Sequence, residues 1–274
     1  MSLFICPVCK QVLTEYEKLY KCENSHCFDK SKFGYVNLLQ SQKSSAKRHG
    51  DDRLMVRARR DFLDSGAYGF LRDELCKICE KYLSDGSVVL DAGCGEGYYS
   101  SGIKSYFEQN GKTLEVYGVD ISKDALEFLC KRKCGIPCAV ASLFDLPFAD
   151  VSADCVLNIF SPDADSEFRR VLKNGGYLIK VIPREKHLFG LKAAIYDEPY
   201  LNEMPVVELE GFSCVAAIQL GAGFSLDSNE QIQNLFKMTP YYYKTGVEDQ
   251  KKINSLGYLE TEAEFEIRVY RKDF

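Results

Sequence analysis

The sequence of 274 residues contains no tryptophan, three histidines and four methionines. It also lacks any apolar run that approaches the length of a membrane-spanning helix. Residues 1–7 have neither a basic start nor a long apolar core, so we expect no secretory signal peptide. These absences predict a protein of the reducing cytoplasm, where disulfide bonds are rare.

Cysteine, by contrast, is abundant, with twelve residues in the chain. Near the start, Cys6, Cys9, Cys22 and His26 follow the spacing Cys-x2-Cys-x12-Cys-x3-His. In a protein without disulfides, this spacing is typical of a closed tetrahedral zinc site. Cys27 could replace His26 as the fourth ligand, but the tighter Cys-x3-His spacing favours His26.

A segment this small cannot bury enough apolar surface to fold by core packing alone. Zinc binding can supply the missing stability, with apparent free energies of about 10–16 kcal/mol in small zinc-finger peptides. We therefore expect residues 1–39 to form a metal-dependent ribbon. Other cysteines have no partner pair at metal spacing and are predicted to serve packing: Cys76, Cys79, Cys130, Cys134 and Cys138.

The net charge of −5 argues against a general nucleic-acid-binding protein, but the charge is unevenly distributed. Residues 1–60 hold twelve Lys and Arg against six Asp and Glu, a net of +6, which leaves −11 for the remainder. This split indicates an N-terminal part that meets a polyanion. The alternative is that a zinc ribbon is rich in lysine for solubility. The candidate polyanion-binding residues are Lys43, Lys47, Arg48, Arg53, Arg59 and Arg60.

Composition divides the chain into three parts. After the ribbon, residues 40–70 form a polar, basic linker that becomes helix-like from about Arg53. Residues 71–274 alternate strand and helix, which predicts a doubly wound α/β domain with a parallel sheet. The predicted parallel strands are 88–91, 114–120, 136–141, 154–159 and 177–182. The alternating runs 212–220 and 262–271 predict an antiparallel pair at the sheet edge.

A glycine-rich loop follows the first predicted strand. Gly93, Gly95 and Gly97 let a ligand approach the backbone closely, where any Cβ would collide. Asp91 ends the strand before this loop, and Asp120 ends the next strand, where a carboxylate can accept both ribose hydroxyls. Only one residue separates Gly95 from Gly97. This spacing resembles the loop of class I S-adenosylmethionine (SAM) methyltransferases, whereas the loop of NAD-binding proteins has two residues at that point. In that frame Ser142 and Leu143 lie beside the adenine ring.

Taken together, the motifs resemble the 23S rRNA guanine-N1 methyltransferases (the RrmA/RlmA family) over essentially the whole chain. The residues that carry the resemblance are Cys6, Pro7, Cys9, Cys22, His26, Phe28, Asp29, 34–39, Ala58, Arg59, Arg60, Phe62, Leu63, Gly66, Tyr68, 91, 93–99 and 238–240.

The resemblance implies methylation of N1 of a guanine in hairpin 35 of 23S rRNA, with SAM as the methyl donor. It also implies a homodimer whose zinc ribbons help to form the RNA cleft. The family's cofactor contacts match Tyr68, Gly95, Glu96 and His187 of this sequence.

Methylation of guanine N1 requires a group that deals with the proton on this nitrogen. Guanine N1 is mostly protonated at neutral pH, so a base must take the proton or hydrogen bonds to O6 must stabilise the anion. The segment 158–165 follows the fourth strand, where target-base contacts arise in this fold. Phe160 could stack on the base, and Asp163, Asp165 and Glu167 are candidate bases.

Two other functions remain open. One is a small-molecule SAM methyltransferase that uses the ribbon for dimerisation. The other is a zinc-ribbon binding protein with a degenerate SAM fold. The intact glycine loop and Asp120 argue against the degenerate fold. The basic stretch 43–60 argues against a small metabolite, which does not need it.

Overall fold

The computed structural model describes residues 2–40 and 50–274. The N-terminal part forms a small antiparallel sheet with strand order β1-β2-β3. Its strands are Thr14–Glu15 (β1), Leu19–Lys21 (β2) and Cys27–Asp29 (β3). These strands are too short to bury a core of their own, as the sequence predicted.

The remaining strands are Val36–Asn37 (β4), Ser87–Ala92 (β5), Leu114–Asp120 (β6), Cys138–Val140 (β7), Ala153–Ile159 (β8), Leu172–Pro183 (β9), Phe212–Leu226 (β10) and Leu259–Lys272 (β11). The helices are Arg53–Asp64 (α1), Gly69–Tyr82 (α2), Tyr98–Gln109 (α3), Lys123–Lys131 (α4), Asp165–Val171 (α5), Phe189–Ile195 (α6), Asn229–Met238 (α7), Tyr241–Lys244 (α8) and Val247–Asn254 (α9).

Strands β4 to β11 form one sheet with the order β10-β11-β9-β8-β5-β6-β7-β4. Strands β4 to β9 pair in parallel, whereas β9, β11 and β10 pair antiparallel. The predicted fold class is therefore confirmed, and so is the antiparallel pair at the sheet edge. The chain order reverses between β5 and β8, which is where a doubly wound sheet binds its ligand.

Local sequence explains where two helices of the site begin. Helix α1 begins after Asp52, whose carboxylate accepts a hydrogen bond from the backbone N–H of Met55. Helix α4 begins after Ser122, whose hydroxyl accepts one from the N–H of Ala125. Such N-caps satisfy donors that the first helical turn leaves free. The helix expected from about Arg53 is confirmed.

The ribbon is joined to the large sheet, which the sequence did not reveal. Strand β4 pairs in parallel with β7, Val36 opposite Ala139. Phe4 is fully buried, and its ring centroid lies 5.5 Å from that of Tyr117 and 5.3 Å from that of Phe148. The ribbon therefore shares a hydrophobic core with the sheet and is not a separate module connected only by a linker.

The cysteines predicted to serve packing are buried or half-buried inside the domain. Cys76 and Cys79 are buried on the inner face of α2, where burial raises the pKa of Cys76 to about 11. The sulfurs of Cys130 and Cys138 lie 3.6 Å apart. None of the helices in the described ranges is both long and apolar enough to cross a membrane.

Candidate active site and metal centre

A cavity of about 790 Å³ opens at the carboxyl ends of the parallel strands. Its walls are the loops after β5, β6, β7 and β8, the start of the segment after β9, helix α1 and the junction of α7 with α8. The predicted cofactor residues that line it are Tyr68, Gly93, Gly95, Glu96, Asp120, Ser142, Leu143 and His187. Contacts of these residues with a cofactor remain predictions.

The glycine loop has a conformation that side chains disfavour. Gly93 and Gly97 have φ of +90° and +82°. A Cβ on Gly93 would lie 2.4 Å from the Cβ of Ser161, and one on Gly97 would lie 2.1 Å from Leu129 Cδ1. Gly95, at φ +54°, has no atom nearer than 3.9 Å to the equivalent position. Ser161 and Leu129 therefore pack closely against Gly93 and Gly97, while the space beside Gly95 is open to a ligand.

Asp120 is held by backbone amides at the end of β6. Its two carboxylate oxygens accept hydrogen bonds from Gly95 N at 2.9 Å and from Ser122 N at 2.7 Å. Burial raises the pKa of Asp120, and these amide donors oppose the rise. Each oxygen keeps a second lone pair, so the fixed carboxylate can accept hydrogen bonds from a ribose.

Asp91 does not line the cavity, although we predicted it as a cofactor contact. It is buried at the end of β5, behind the glycine loop, and burial raises its pKa to about 7. Within the described residues its Oδ1 has no hydrogen-bond partner.

Glu96 is a lining residue of the cavity, and its carboxylate pairs with Arg132, which is not one. Arg132 Nε donates to Glu96 Oε2 at 2.6 Å and to the Glu96 carbonyl at 3.0 Å. Burial raises the pKa of Glu96, and the guanidinium opposes the rise. The ion pair fixes the first turn before α3.

Tyr68 and His187 form a buried pair at the cavity. The Tyr68 hydroxyl lies 3.5 Å from His187 Nε2, and His187 Nδ1 accepts a hydrogen bond from Glu264 N at 3.3 Å. Burial, with a contribution from nearby Lys192, lowers the pKa of His187 to about 3. The imidazole is therefore neutral, and the pair offers polar atoms without charge.

The loop after β8 forms the opposite wall. Asn158 Nδ2 donates to the Ser161 hydroxyl at 2.9 Å and to the Pro162 carbonyl at 3.0 Å. The loop places Phe160 at φ +54°, a left-handed conformation uncommon for residues other than glycine. Phe160 lines the cavity and is 45% exposed, so part of its surface is accessible to a ligand.

The three candidate bases lie in different places. Asp163 lines the cavity and pairs with the buried Lys180 Nζ at 2.7 Å. Asp165 lies outside the cavity lining and is 3.5 Å from the same nitrogen. Glu167 pairs with Arg170 and accepts a hydrogen bond from Leu146 N. Geometry therefore favours Asp163 and does not favour Glu167.

The basic residues are also separated. Arg53 pairs with Glu127, Arg60 with Asp64, and Arg59 lines the cavity. Lys43, Lys47 and Arg48 lie outside the described residues.

A metal centre lies in the ribbon, formed by Cys6, Cys9, Cys22 and His26, whose ligand atoms are all within 4.8 Å of one another. His26 Nδ1 is 3.5 Å from Cys6 Sγ and 3.3 Å from Cys22 Sγ, and Cys9 Sγ is 3.6 Å from Cys22 Sγ. A tetrahedral zinc ion requires about 3.6 Å between sulfur and nitrogen and about 3.8 Å between sulfurs. The geometry therefore fits zinc.

Cys27, the alternative fourth ligand, is exposed and lies outside this cluster. Its thiol is 3.4 Å from the Ser25 carbonyl. Among the residues of the cluster, Cys9 accepts a hydrogen bond from the backbone of Gln11, which lowers the pKa of its thiol to about 6. The lower pKa favours the thiolate that zinc binds.

Comparison with known proteins places these features in a family. Residues 4–47 match the zinc-ribbon family described as "RlmA, N-terminal", and residues 90–180 match the family described as "Methyltransferase domain". The chain is 34% identical, over 87% of its length and 86% of the relative, to a candidate 23S rRNA (guanine-N(1)-)-methyltransferase, YxjB, from Bacillus subtilis (strain 168). It is 35% identical, over 69% of its length and 66% of the relative, to the 23S rRNA (guanine(748)-N(1))-methyltransferase of Streptomyces fradiae.

The fold, the cavity and the ribbon define a class I SAM-dependent methyltransferase with a structural zinc site. The sequence identity to 23S rRNA (guanine-N1-)-methyltransferases, which extends over most of the chain, identifies the family within this class. The protein belongs to the 23S rRNA (guanine-N1-)-methyltransferase family of the RlmA type.

Sequence reasoning missed part of the cavity wall. Asp51, Met55 and Arg59 reach it from the segment before and within α1, and residues 238–241 reach it from the α7–α8 junction. The motifs around Arg59 and Met238 were visible in the sequence, but nothing in their spacing showed that they face the glycine loop.

Proposed function

We propose that the protein methylates N1 of a guanine in hairpin 35 of 23S rRNA in the cytoplasm. The observation that carries the proposal is the cavity itself. It extends from the glycine loop to Phe160 and Asp163, so one space has a cofactor end and an end suited to a planar base. Family membership supports guanine N1 as the acceptor.

The base end matches the requirements of the reaction. SAM supplies an activated methyl group when it is bound, so the protein mainly has to orient the acceptor and exclude water. Phe160 can stack on a guanine that has left its hairpin loop. Asp163, held by Lys180, can accept the N1 proton from the same base.

RNA recognition is proposed to involve the N-terminal part. Residues 1–39 and the basic segment 40–70 precede the methyltransferase domain, residues 71–274, and contain the chain's excess of positive charge. The family resemblance also supports a homodimer whose two ribbons flank the RNA. The competing proposal is a small-molecule methyltransferase in which the ribbon serves dimerisation only.

The test is methylation of an unmodified 23S rRNA transcript and of a hairpin 35 fragment, followed by mass mapping of nuclease fragments. We expect one methyl group on one guanine, lost when that guanine is replaced by adenine. Methylation at another site, or transfer to small molecules but not to RNA, would contradict the proposal.

The same assay tests the base. Asp163→Asn should lower turnover about 10²- to 10⁴-fold, the usual range for a general base, while SAM affinity stays unchanged. Asp165→Asn, which alters the same Lys180 contact outside the cavity, is the matched control. Equal losses in the two variants would assign Asp163 a structural function.

A further inference from the structure

The cavity contains an uneven set of charges. Four acidic residues line it, Asp51, Glu96, Asp120 and Asp163, but the Glu96 carboxylate is paired with Arg132, which does not line the cavity. Within the described ranges, 2–40 and 50–274, Arg59 is the single Lys or Arg among the lining residues. His187 does not add a positive charge, because burial keeps its imidazole neutral.

Arg59 points across the cavity toward the glycine loop. It projects from α1 and pairs through Nη1 with Asp51. Its Nη2 donates to the Met238 carbonyl at 3.3 Å. Nη1 is also 3.9 Å from the position that a Cβ on Gly95 would occupy, and this is the open side of the loop. The guanidinium is thus fixed on both sides and faces the space left for a ligand.

SAM brings a carboxylate into this cavity at its methionine end. A buried carboxylate needs donors, and charge-assisted hydrogen bonds from a guanidinium are the strongest that a side chain offers. A guanidinium has five N–H donors, so those used on Asp51 and Met238 leave others available. We infer that Arg59 holds the methionine carboxylate of SAM and is a cofactor-binding residue, not an RNA-binding residue as its sequence context suggested.

The adjacent residue provides a matched comparison. Arg60 lies one position further along α1 and faces away from the cavity. Its Nε is 3.4 Å from Asp64 Oδ2, and its guanidinium lies 5.6 Å from the centroid of the Phe128 ring. The two arginines therefore have the same charge and helix but different surroundings.

The experiment measures binding, without RNA, by calorimetry with two ligands. S-adenosylhomocysteine contains the carboxylate, whereas 5′-methylthioadenosine lacks the whole amino-acid end. Arg59→Ala should weaken S-adenosylhomocysteine binding about 10- to 100-fold and change methylthioadenosine binding less than about twofold. Arg60→Ala should change neither affinity. Because no RNA is present, a wrong RNA target would leave this result intact.

Two outcomes would overturn the inference. An equal loss for both ligands would mean that Arg59 maintains the cavity through Asp51, and no loss for either would place the carboxylate elsewhere. If Arg59→Ala does not fold, Arg59→Lys replaces it. The lysine keeps the charge but loses the planar fork, so the loss should be smaller and still confined to S-adenosylhomocysteine. A loss shared by both ligands, or none, in that variant would again overturn it.

Discussion

At the scale of the residue, the site depends on buried polar groups whose charge state is set by their surroundings. Asp91 and His187 show the two directions. Burial raises the pKa of the Asp91 carboxyl to about 7 and lowers that of the His187 imidazole to about 3. In both cases desolvation disfavours the charged form. The neutral His187 lines the cavity, and Asp91 lies behind the glycine loop with a carboxyl group that holds its proton more readily than usual.

His187 should make the stability of the protein depend on pH. Its pKa is about 3 when folded, against an ordinary value of 6.5. Between these values the unfolded chain binds one proton more, so the free energy of unfolding falls as pH falls. Between pH 7.5 and pH 5.5 the free energy of unfolding of the parent protein should fall by about 1.4 kcal/mol more than that of the His187→Gln variant. Urea unfolding at both pH values measures this, and an identical pH dependence in the variant would refute it.

At the scale of the element, strand β4 and the zinc ribbon form a continuation of the domain. Val36 extends the sheet, and Phe4 is packed among rings of the core. The backbone N–H of Ile5 also donates to the Pro147 carbonyl at 2.9 Å. Loss of the metal should therefore disturb the domain and not only the ribbon.

Cys9→Ser should remove zinc and lower the melting temperature of the whole protein, because the unfolded ribbon withdraws Phe4 and Val36 from the shared core. Truncation of a buried aromatic side chain typically costs about 3–5 kcal/mol, which sets the scale of the effect. Elemental analysis and thermal unfolding measure the two results. Cys27→Ser is the control and should keep one zinc ion. Zinc loss in the control instead would make Cys27 the fourth ligand.

At the scale of the whole molecule, the chain separates its charges. The first sixty residues carry +6 and the remainder −11. The structure shows that Arg53, Arg59 and Arg60 already have carboxylate partners. If the protein binds RNA as proposed, Lys43, Lys47 and Arg48 are the candidates for phosphate contacts, and they rest on the sequence alone.

Replacing Lys43, Lys47 and Arg48 together with alanine should weaken RNA binding and flatten its salt dependence. Each phosphate contact contributes about 0.7–0.9 to the slope of log affinity against log salt, so three contacts give a change of about 2–3. Filter binding at several salt concentrations measures the slope. The charge-matched control replaces Lys104, Lys112 and Lys173, each paired with an acidic residue inside the domain. Equal slopes in the two triple variants would assign the basic stretch no contact with RNA.

Periodicity and composition were sufficient for the elements of the large sheet. Each predicted strand is present, although β9 begins earlier, at Leu172, and β7 is shorter, Cys138–Val140. Strands β5 to β8 are buried on both faces, so their apolar runs are distinctive, whereas β10 is largely exposed and was predicted from its alternating pattern. Strand β4 was missed because two residues carry no periodic signal. Helices α6, α8 and α9 were missed because seven, four and eight residues are too few to show a helical period. Helix α7 was also missed, although its buried Ile232, Leu235 and Phe236 have helical spacing.

The sequence by itself identified Cys6, Cys9 and Cys22 as metal ligands and the glycine loop as a turn at the end of a strand, because each is contained in a short, local spacing. The choice of His26 over Cys27 as the fourth member of the metal cluster came from the structure. Only the tertiary structure decided which charged residues face the cavity. Arg59 and Arg60 are neighbours in the chain, yet one lies beside Gly95 and the other beside Phe128. Asp163 and Glu167 are similarly close in sequence, but Asp163 lines the cavity, whereas Glu167 lies outside it and is paired with Arg170. The direction of a side chain depends on how its helix or loop packs against distant strands, and no local pattern records that packing.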